Sequence, residues 1–322
     1  MSDSILRVEG LSRFFRVGGF RSHGQLHALD EVTFEVAPGE IVALVGESGS
    51  GKSTIARVLA GLYKPTQGTI VFEGEALTGR TNRKVRGRMP MVFQDPFGSI
   101  NPVLRVGHSL FRSLKLHRPE LSKSERYEEA VALVERVGLN PGAEVLRRYP
   151  HQLSGGQRQR LGFAQALASH PSLILADEPV SMLDVSIRIG LLNVMKGLRD
   201  QEGVSLLYIT HDLASARYVA NRMIVLYAGR IAEEGLTDEV IRSPQHPYTQ
   251  LLMSTAPDPR LPLAVIEGER DLGEPPKVID PGPGCRFAPR CPLVMDICRT
   301  TNPTMVTLSA THHAACFAVK AT

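Results

Sequence analysis

The 322-residue chain is 43% hydrophobic and 22% charged with a net charge of +4, which excludes disordered and fibrous classes and allows one large core plus a small appendage. The charge is uneven, residues 281–322 holding four Lys/Arg against one Asp, but neither the tail nor the whole is basic enough to argue for a nucleic-acid partner. No apolar run approaches the roughly 18 residues of a bilayer-crossing helix, and the start lacks a signal-peptide pattern, so a cytosolic protein is expected.

Short β-branched runs at 32–36, 41–45, 69–72, 91–93, 173–176, 205–209 and 223–227 alternate in part with helical patterns and read as an α/β sandwich. Residues 16–27, with Arg16, Arg21, His23 and His27 among glycines, read as a solvated loop before the second strand. The apolar run at 41–45 leads into Gly46, Glu47, Ser48, Gly49, Ser50, Gly51, Lys52 and Ser53, the full spacing of a phosphate-binding loop, followed by Thr54 and a helical stretch over 53–62. Its glycines let the backbone curl until N–H groups face a phosphate; Lys52 reaches the terminal phosphates and Ser53 offers a hydroxyl to magnesium. A nucleoside triphosphate is the expected ligand.

Between Gln94 and Leu153 the strand signal vanishes, and helical candidates at 106–116 and 122–137 predict an all-helical insertion. Ser122 and Glu125 have capping-box spacing, with Gly138 placed to end that helix. Ser154 and Gln157 repeat the spacing around Gly155 and Gly156; besides capping the next helix, the two glycines bare N–H groups at its positive end, which makes a second anion site. The strand at 173–176 then delivers two carboxylates: Asp177 to hold a magnesium shell and Glu178 to take the proton from an attacking water. Seven prolines over 257–283 predict a linker, and all four cysteines, Cys285, Cys291, Cys298 and Cys316, lie beyond it. In a reducing compartment four thiols favour metal ligation over disulfides, but gaps of five, six and seventeen residues do not choose between zinc and an iron–sulfur centre.

Taken together, these strings resemble the ATP-binding cassette (ABC) ATPases, whose hallmark is LSGGQ about twenty positions before the Asp-Glu pair; the likeness covers about residues 5–255. The resemblance implies a P-loop cassette with a mixed-sheet core over 1–94 and 154–256 and a helical signature subdomain over 95–153, followed by the linker at 257–283 and a cysteine module at 284–322. It also implies that Gln94 touches magnesium and the attacking water, that Asp184 lies in the loop crossing a dimer interface, that His211 faces the γ-phosphate, and that Phe15 stacks on adenine. In the family's mechanism two cassettes close head to tail, each ATP lying between the phosphate loop of one and the LSGGQ of the other. With Lys52, Asp177, Glu178 and His211 all present, a catalytic half-site is expected.

The strings at 94–102, 177–181, 183–186 and 244–249, with the cysteine tail, are similar to the dipeptide/oligopeptide importer ATPases, and more to the cassette that lies second in a pair of unlike ones. That likeness implies a sister ATPase, two transmembrane permeases, a substrate-binding protein reached through them, a place on the cytoplasmic membrane face, and a 4Fe-4S cluster on the four cysteines, zinc being the alternative. Arg286 and Arg290 are expected to offset the charge of the thiolates. Met182, Gln165 and Phe15 depart from the usual alanine, arginine and tyrosine. Rival readings are an importer of nickel, glutathione or another small solute, a soluble ABC ATPase, and an iron–sulfur redox sensor.

Overall fold

The structure, a computed structural model, describes residues 4–18, 24–77, 85, 87–95, 100–254 and 278–319. Two long strands, β1 (Leu6–Val17) and β2 (Gly24–Val36), are followed by β3 (Ile41–Val45), α1 (Lys52–Leu59), β4 (Gln67–Phe72) and β5 (Glu75–Ala76). After β6 (Met91–Val92) comes the helical stretch of α2 (Val106–His117), α3 (Lys123–Arg136) and α4 (Gly142–Arg147). The chain then runs through α5 (Gly155–Leu167), β7 (Leu173–Asp177), α6 (Val185–Glu202), β8 (Ser205–Thr210), α7 (Leu213–Val219), β9 (Arg222–Tyr227), β10 (Arg230–Leu236), α8 (Thr237–Arg242) and α9 (Pro247–Ser254). The tail adds α10 (Asp296–Thr300), β11 (Val306–Thr307) and β12 (His313–Ala314).

These strands form an antiparallel sheet ordered β2-β1-β4-β5 and a larger sheet ordered β11-β12-β10-β9-β3-β8-β7-β6. From β9 to β6 the larger sheet is parallel. A fully buried strand sends alternate side chains to opposite faces, and β3 does so. Ile41, Ala43 and Val45 join the core shared with the helices, whereas Val42 and Leu44 join the core beneath the smaller sheet, with Ile55, Ala56 and Leu59 of α1. The reciprocal capping box of α3 forms as predicted, Ser122 Oγ accepting from Glu125 N at 3.3 Å and Glu125 Oε2 from Ser122 N at 2.7 Å.

The solvated-loop reading of residues 16–27 is corrected at both ends. β1 runs through Val17 and β2 begins at Gly24, with Arg16 opposite Gln25 and the Phe14 and His27 rings stacked at 3.9 Å; Arg21 and His23 lie outside the described residues. The strand signal is hidden because Gly10 takes φ +57° and the register shifts between Val8 and Leu11 and again before Phe14, which breaks the alternation that marks a strand. β10 was also not anticipated, because a charge sits inside it. Glu233 is fully buried, its carboxylate accepting from the N–H groups of Gln245 and His246, each at 2.8 Å, and lying 2.7 Å from His312 Nε2.

Most of the predicted linker lies outside the described residues, but its end docks on β2: His27 N donates to Val278 O at 2.8 Å and Asp280 N to Gln25 O at 2.9 Å. The tail is built into the larger sheet, Glu233 of β10 pairing with Ala314 of β12. Among the described residues no helix is long and apolar enough to cross a membrane.

Candidate functional site

The carboxyl ends of four neighbouring parallel strands converge, where an open α/β sheet places its ligands. β3 delivers the glycine-rich loop, β6 delivers Gln94, β7 ends in Asp177 before Glu178, and β8 ends just before His211. Two of the loop's glycines are obligatory. Gly46 has φ +150° and a Cβ there would lie 2.2 Å from Leu226 O; Gly51 has φ +109° and its Cβ would lie 2.5 Å from Ala28 O. The loop is pinned to the sheet by Gly229 N, which donates to Ser50 O at 2.8 Å, and it runs directly into α1, where Thr54 N donates to Gly51 O at 3.0 Å.

The buried Lys52 Nζ donates to Gly46 O and Glu47 O, both at 2.7 Å. Burial pushes its pKa down, and the carboxylates of Glu178, Asp177 and Glu47 pull it back up. Ser53 Oγ donates to Asp177 Oδ1 at 2.9 Å, placing a hydroxyl and a carboxylate side by side as a magnesium shell requires. Asp177 is raised by its burial, with the Ser53 hydrogen bond acting in the opposite sense. Glu178 occupies the left-handed region at φ +46°, held by its N–H to Ile209 O at 2.9 Å. Its Oε2 accepts from Gln94 Nε2 at 3.0 Å and lies 3.3 Å from His211 Nδ1. Strained backbone at a carboxylate flanked by an amide and an imidazole is the pattern of a reacting centre.

The LSGGQ segment is built but stands apart. Ser154 Oγ accepts from Gln157 N at 3.3 Å and Gln157 Oε1 from Ser154 N at 3.0 Å, completing the capping box that opens α5. Gly155 is exposed and Gly156 is buried against α6, where a Cβ would meet Ile187 Cγ2 at 2.1 Å. Among the described residues no hydrogen bond or ion pair joins residues 154–157 to residues 46–54. Asp184 precedes α6 on an exposed surface with Met182 and Val185, 67% and 70% exposed. Gln165 is an internal link, Nε2 donating to Ser109 Oγ at 2.6 Å and tying α5 to α2. Phe15 lies on β1, edge-on to Tyr63 with ring centroids 5.4 Å apart, and the Arg13 guanidinium sits 4.4 Å over its ring.

Two residues that hold the phosphate loop were not assigned to the site from sequence. Tyr248 Oη accepts from Glu47 N at 2.8 Å, and Arg290 grips the Glu47 carboxylate with both terminal nitrogens at 2.9 and 3.1 Å. Tyr248 lies in the string at 244–249 and Arg290 in the cysteine tail, but neither position reveals which distant loop it meets. The expected role of the tail arginines is revised accordingly: Arg290 is held at Glu47, and Arg286 bonds Ala228 O and Asp30. The four cysteines are free thiols that all line one small cavity with Phe287, Leu293, Met295 and Phe317. Burial pushes Cys285, Cys291 and Cys316 upward, and the neighbouring thiols add to it. Among the described residues no three His, Cys, Asp or Glu side chains close on a point that a single metal ion would occupy.

A phosphate loop after a central strand, with a buried aspartate followed by a half-buried glutamate, and a glutamine and a histidine gathered on its neighbours, defines a P-loop nucleotide-binding cassette. Residues 29–181 match the ABC transporter family, and residues 232–298 match the oligopeptide/dipeptide transporter C-terminal region. The chain is 42% identical to a probable peptide ABC transporter ATP-binding protein of Sinorhizobium fredii, over 98% of this chain and 90% of that one. It is 39% identical to the di/tripeptide transport ATP-binding protein DppF of Pseudomonas aeruginosa, over 97% and 98% of the two chains. Among solved structures, a dimeric ATP-binding cassette in a post-hydrolysis state with ADP and Pi is 29% identical, with a TM-score of 0.64 over 72% of this chain and 98% of that one. The chain belongs to the ATP-hydrolysing subunits of ABC transporters, in the branch that carries the oligopeptide/dipeptide C-terminal region.

Proposed function

We propose that this ATPase powers the import of dipeptides or oligopeptides through a membrane transporter whose permeases are separate chains. The observation that carries the reading is the C-terminal match over residues 232–298, which takes in Tyr248 and three of the four cysteines and lies outside the part common to ABC transporters. The relatives named for peptide transport are matched along nearly their whole length, which supports the same reading. The working assembly pairs this cassette with a sister ATPase at the cytoplasmic face of the membrane, together with two permeases and a substrate-binding protein outside. The separation of residues 154–157 from the phosphate loop supports a half-site completed by another cassette.

Within the half-site, the backbone of residues 46–54 and Lys52 bind the phosphates, and Phe15 flanks the base. Ser53, Asp177 and Gln94 would hold magnesium, which would supply charge neutralisation at the phosphates. Glu178 accepts the proton of the attacking water, with Gln94 and His211 fixing the position of its carboxylate. Ser154, Gly155, Gly156 and Gln157 meet the partner's ATP, and Asp184 faces the partner cassette. Lys52→Ala in the chromosomal copy is expected to abolish uptake of labelled dipeptide while the transporter still assembles. Uptake at the wild-type rate would overturn the motor reading, and loss of another solute's uptake in place of peptide would overturn the substrate.

The fit of a cluster to the tail rests on its donors: four thiols free of disulfides, from separate turns, line one apolar cavity, and thiolates gathered there would need a cationic centre to offset their charge. We read it as the place of a 4Fe-4S centre ligated by Cys285, Cys291, Cys298 and Cys316. Protein purified without oxygen is expected to hold iron and acid-labile sulfide in equal amounts, with broad visible absorption lost in Cys291→Ser. Zinc alone would replace the cluster with a structural clip.

A further inference from the structure

We propose that Arg290 and Tyr248 are positioning residues of the nucleotide site, through which the cysteine module sets the charge and placement of the phosphate loop. The inference deepens the reading of residues 46–54 as the triphosphate site and rests on it. Glu47 is the point of contact. Its N–H is taken by the Tyr248 phenol at 2.8 Å, and its carboxylate is held by Arg290 at 2.9 and 3.1 Å, with Arg290 also donating to Tyr227 Oη at 3.3 Å. Arg290 stands one residue before Cys291, and its side chain is 10% exposed against 24% for Glu47, so the pair is sheltered from solvent. Phe287 fixes the arginine's turn in place, 2% exposed and packed edge-on to Tyr227 at 5.1 Å and against Tyr248 at 5.6 Å.

A carboxylate in a loop that binds a tri- or diphosphate repels its ligand unless it is neutralised, and a fork-shaped guanidinium neutralises it while fixing its direction. The hydrogen bond to the Glu47 N–H holds the backbone on the other side of the same residue. Module and loop therefore share one charged link: a change that displaces the turn at 285–291 frees the negative charge of Glu47 at the phosphates, and bound nucleotide in turn favours the docked turn, since such coupling is reciprocal.

The test measures binding of a fluorescent ATP analogue with magnesium to the full chain, and hydrolysis in the assembled transporter. Arg290→Gln is expected to weaken binding at least about fivefold, the lower end of coupling between sites. Glu47→Gln gives the reference value for a loop without this charge, and the double variant is expected to rise from the Arg290→Gln value to the Glu47→Gln value, because the repelling charge is then gone. Arg290→Lys retains charge without the fork and is expected to fall between. Tyr248→Phe is expected to raise KM for ATP with kcat little changed, since it moves the loop and not the attacking water. A merely structural tail gives no rescue by Glu47→Gln, so a double variant as weak as Arg290→Gln, or an Arg290→Gln that binds like wild type, overturns the proposal. If wild type binds and Lys52→Ala does not, such a result sinks this link alone; if wild type does not bind, the triphosphate-site reading falls and takes the link with it.

Discussion

Glu178→Gln is expected to leave ATP binding intact and to slow hydrolysis by about 10²–10⁴-fold, the contribution of a positioned general base. The change is nearly isosteric, so Gln94 Nε2, now 3.0 Å from Glu178 Oε2, keeps an acceptor in the amide oxygen, and the φ +46° backbone is unchanged. What is lost is the ability to accept a proton. Because the roles proposed for Lys52, Ser53 and Asp177 do not depend on the lost proton acceptor, affinity is expected to be preserved and closure of the proposed cassette pair around unhydrolysed ATP to be favoured. Nucleotide binding and phosphate release, measured on the same preparation, separate the two effects. Hydrolysis within tenfold of wild type would move the base to His211, 3.3 Å away, and His211→Ala would then carry the larger loss. Lys52→Ala differs in kind, since it removes phosphate binding itself.

The site was legible from sequence because its parts are local in the chain. The loop at 46–54, the Asp177-Glu178 pair and the capping box at 154–157 each lie within one turn or strand end, and their spacing carries the chemistry directly. The central strands were legible for a related reason: a strand buried on both faces, such as β3 or β8, reads as a continuous apolar run. β1, β2 and β10 were hidden wherever a bulge, a left-handed residue or a buried charge broke the pattern, as at Gly10, Glu31 and Glu233. The link between Arg290 and Glu47 was illegible because it joins residues 243 positions apart, and its partners are fixed by where the tail docks. The tail arginines could be read from composition as counter-charges for thiolates; only the fold shows that they hold Asp30 and Glu47.

That docking depends on one side chain above others, and Phe287→Ala is expected to destabilise it by about 3–5 kcal/mol, the range for emptying an aromatic core position. Phe287 is the tail's entry into the main core, touching Tyr227 of β9, Tyr248 of α9 and His246, whose ring centroid lies 5.7 Å away. Burial pushes His246 down to about 4, so the ring is neutral and its Nδ1 accepts from Tyr248 N at 2.9 Å, which holds that tyrosine under the phosphate loop. Truncation therefore leaves a cavity among the groups that fix Arg290 and Tyr248, and the cost appears at the module before it appears in the sheet. Denaturant unfolding of Phe287→Ala, with Phe287→Leu as the milder partner, gives the magnitude, and thiol labelling of the four cysteines gives the location. Faster labelling in the alanine variant, slowed again by saturating ATP, is the expected pattern, since bound nucleotide favours the docked tail. A loss below about 0.5 kcal/mol, the range of an ordinary surface change, would mean that the strand pairing of β12 with β10 holds the tail without the aromatic cluster.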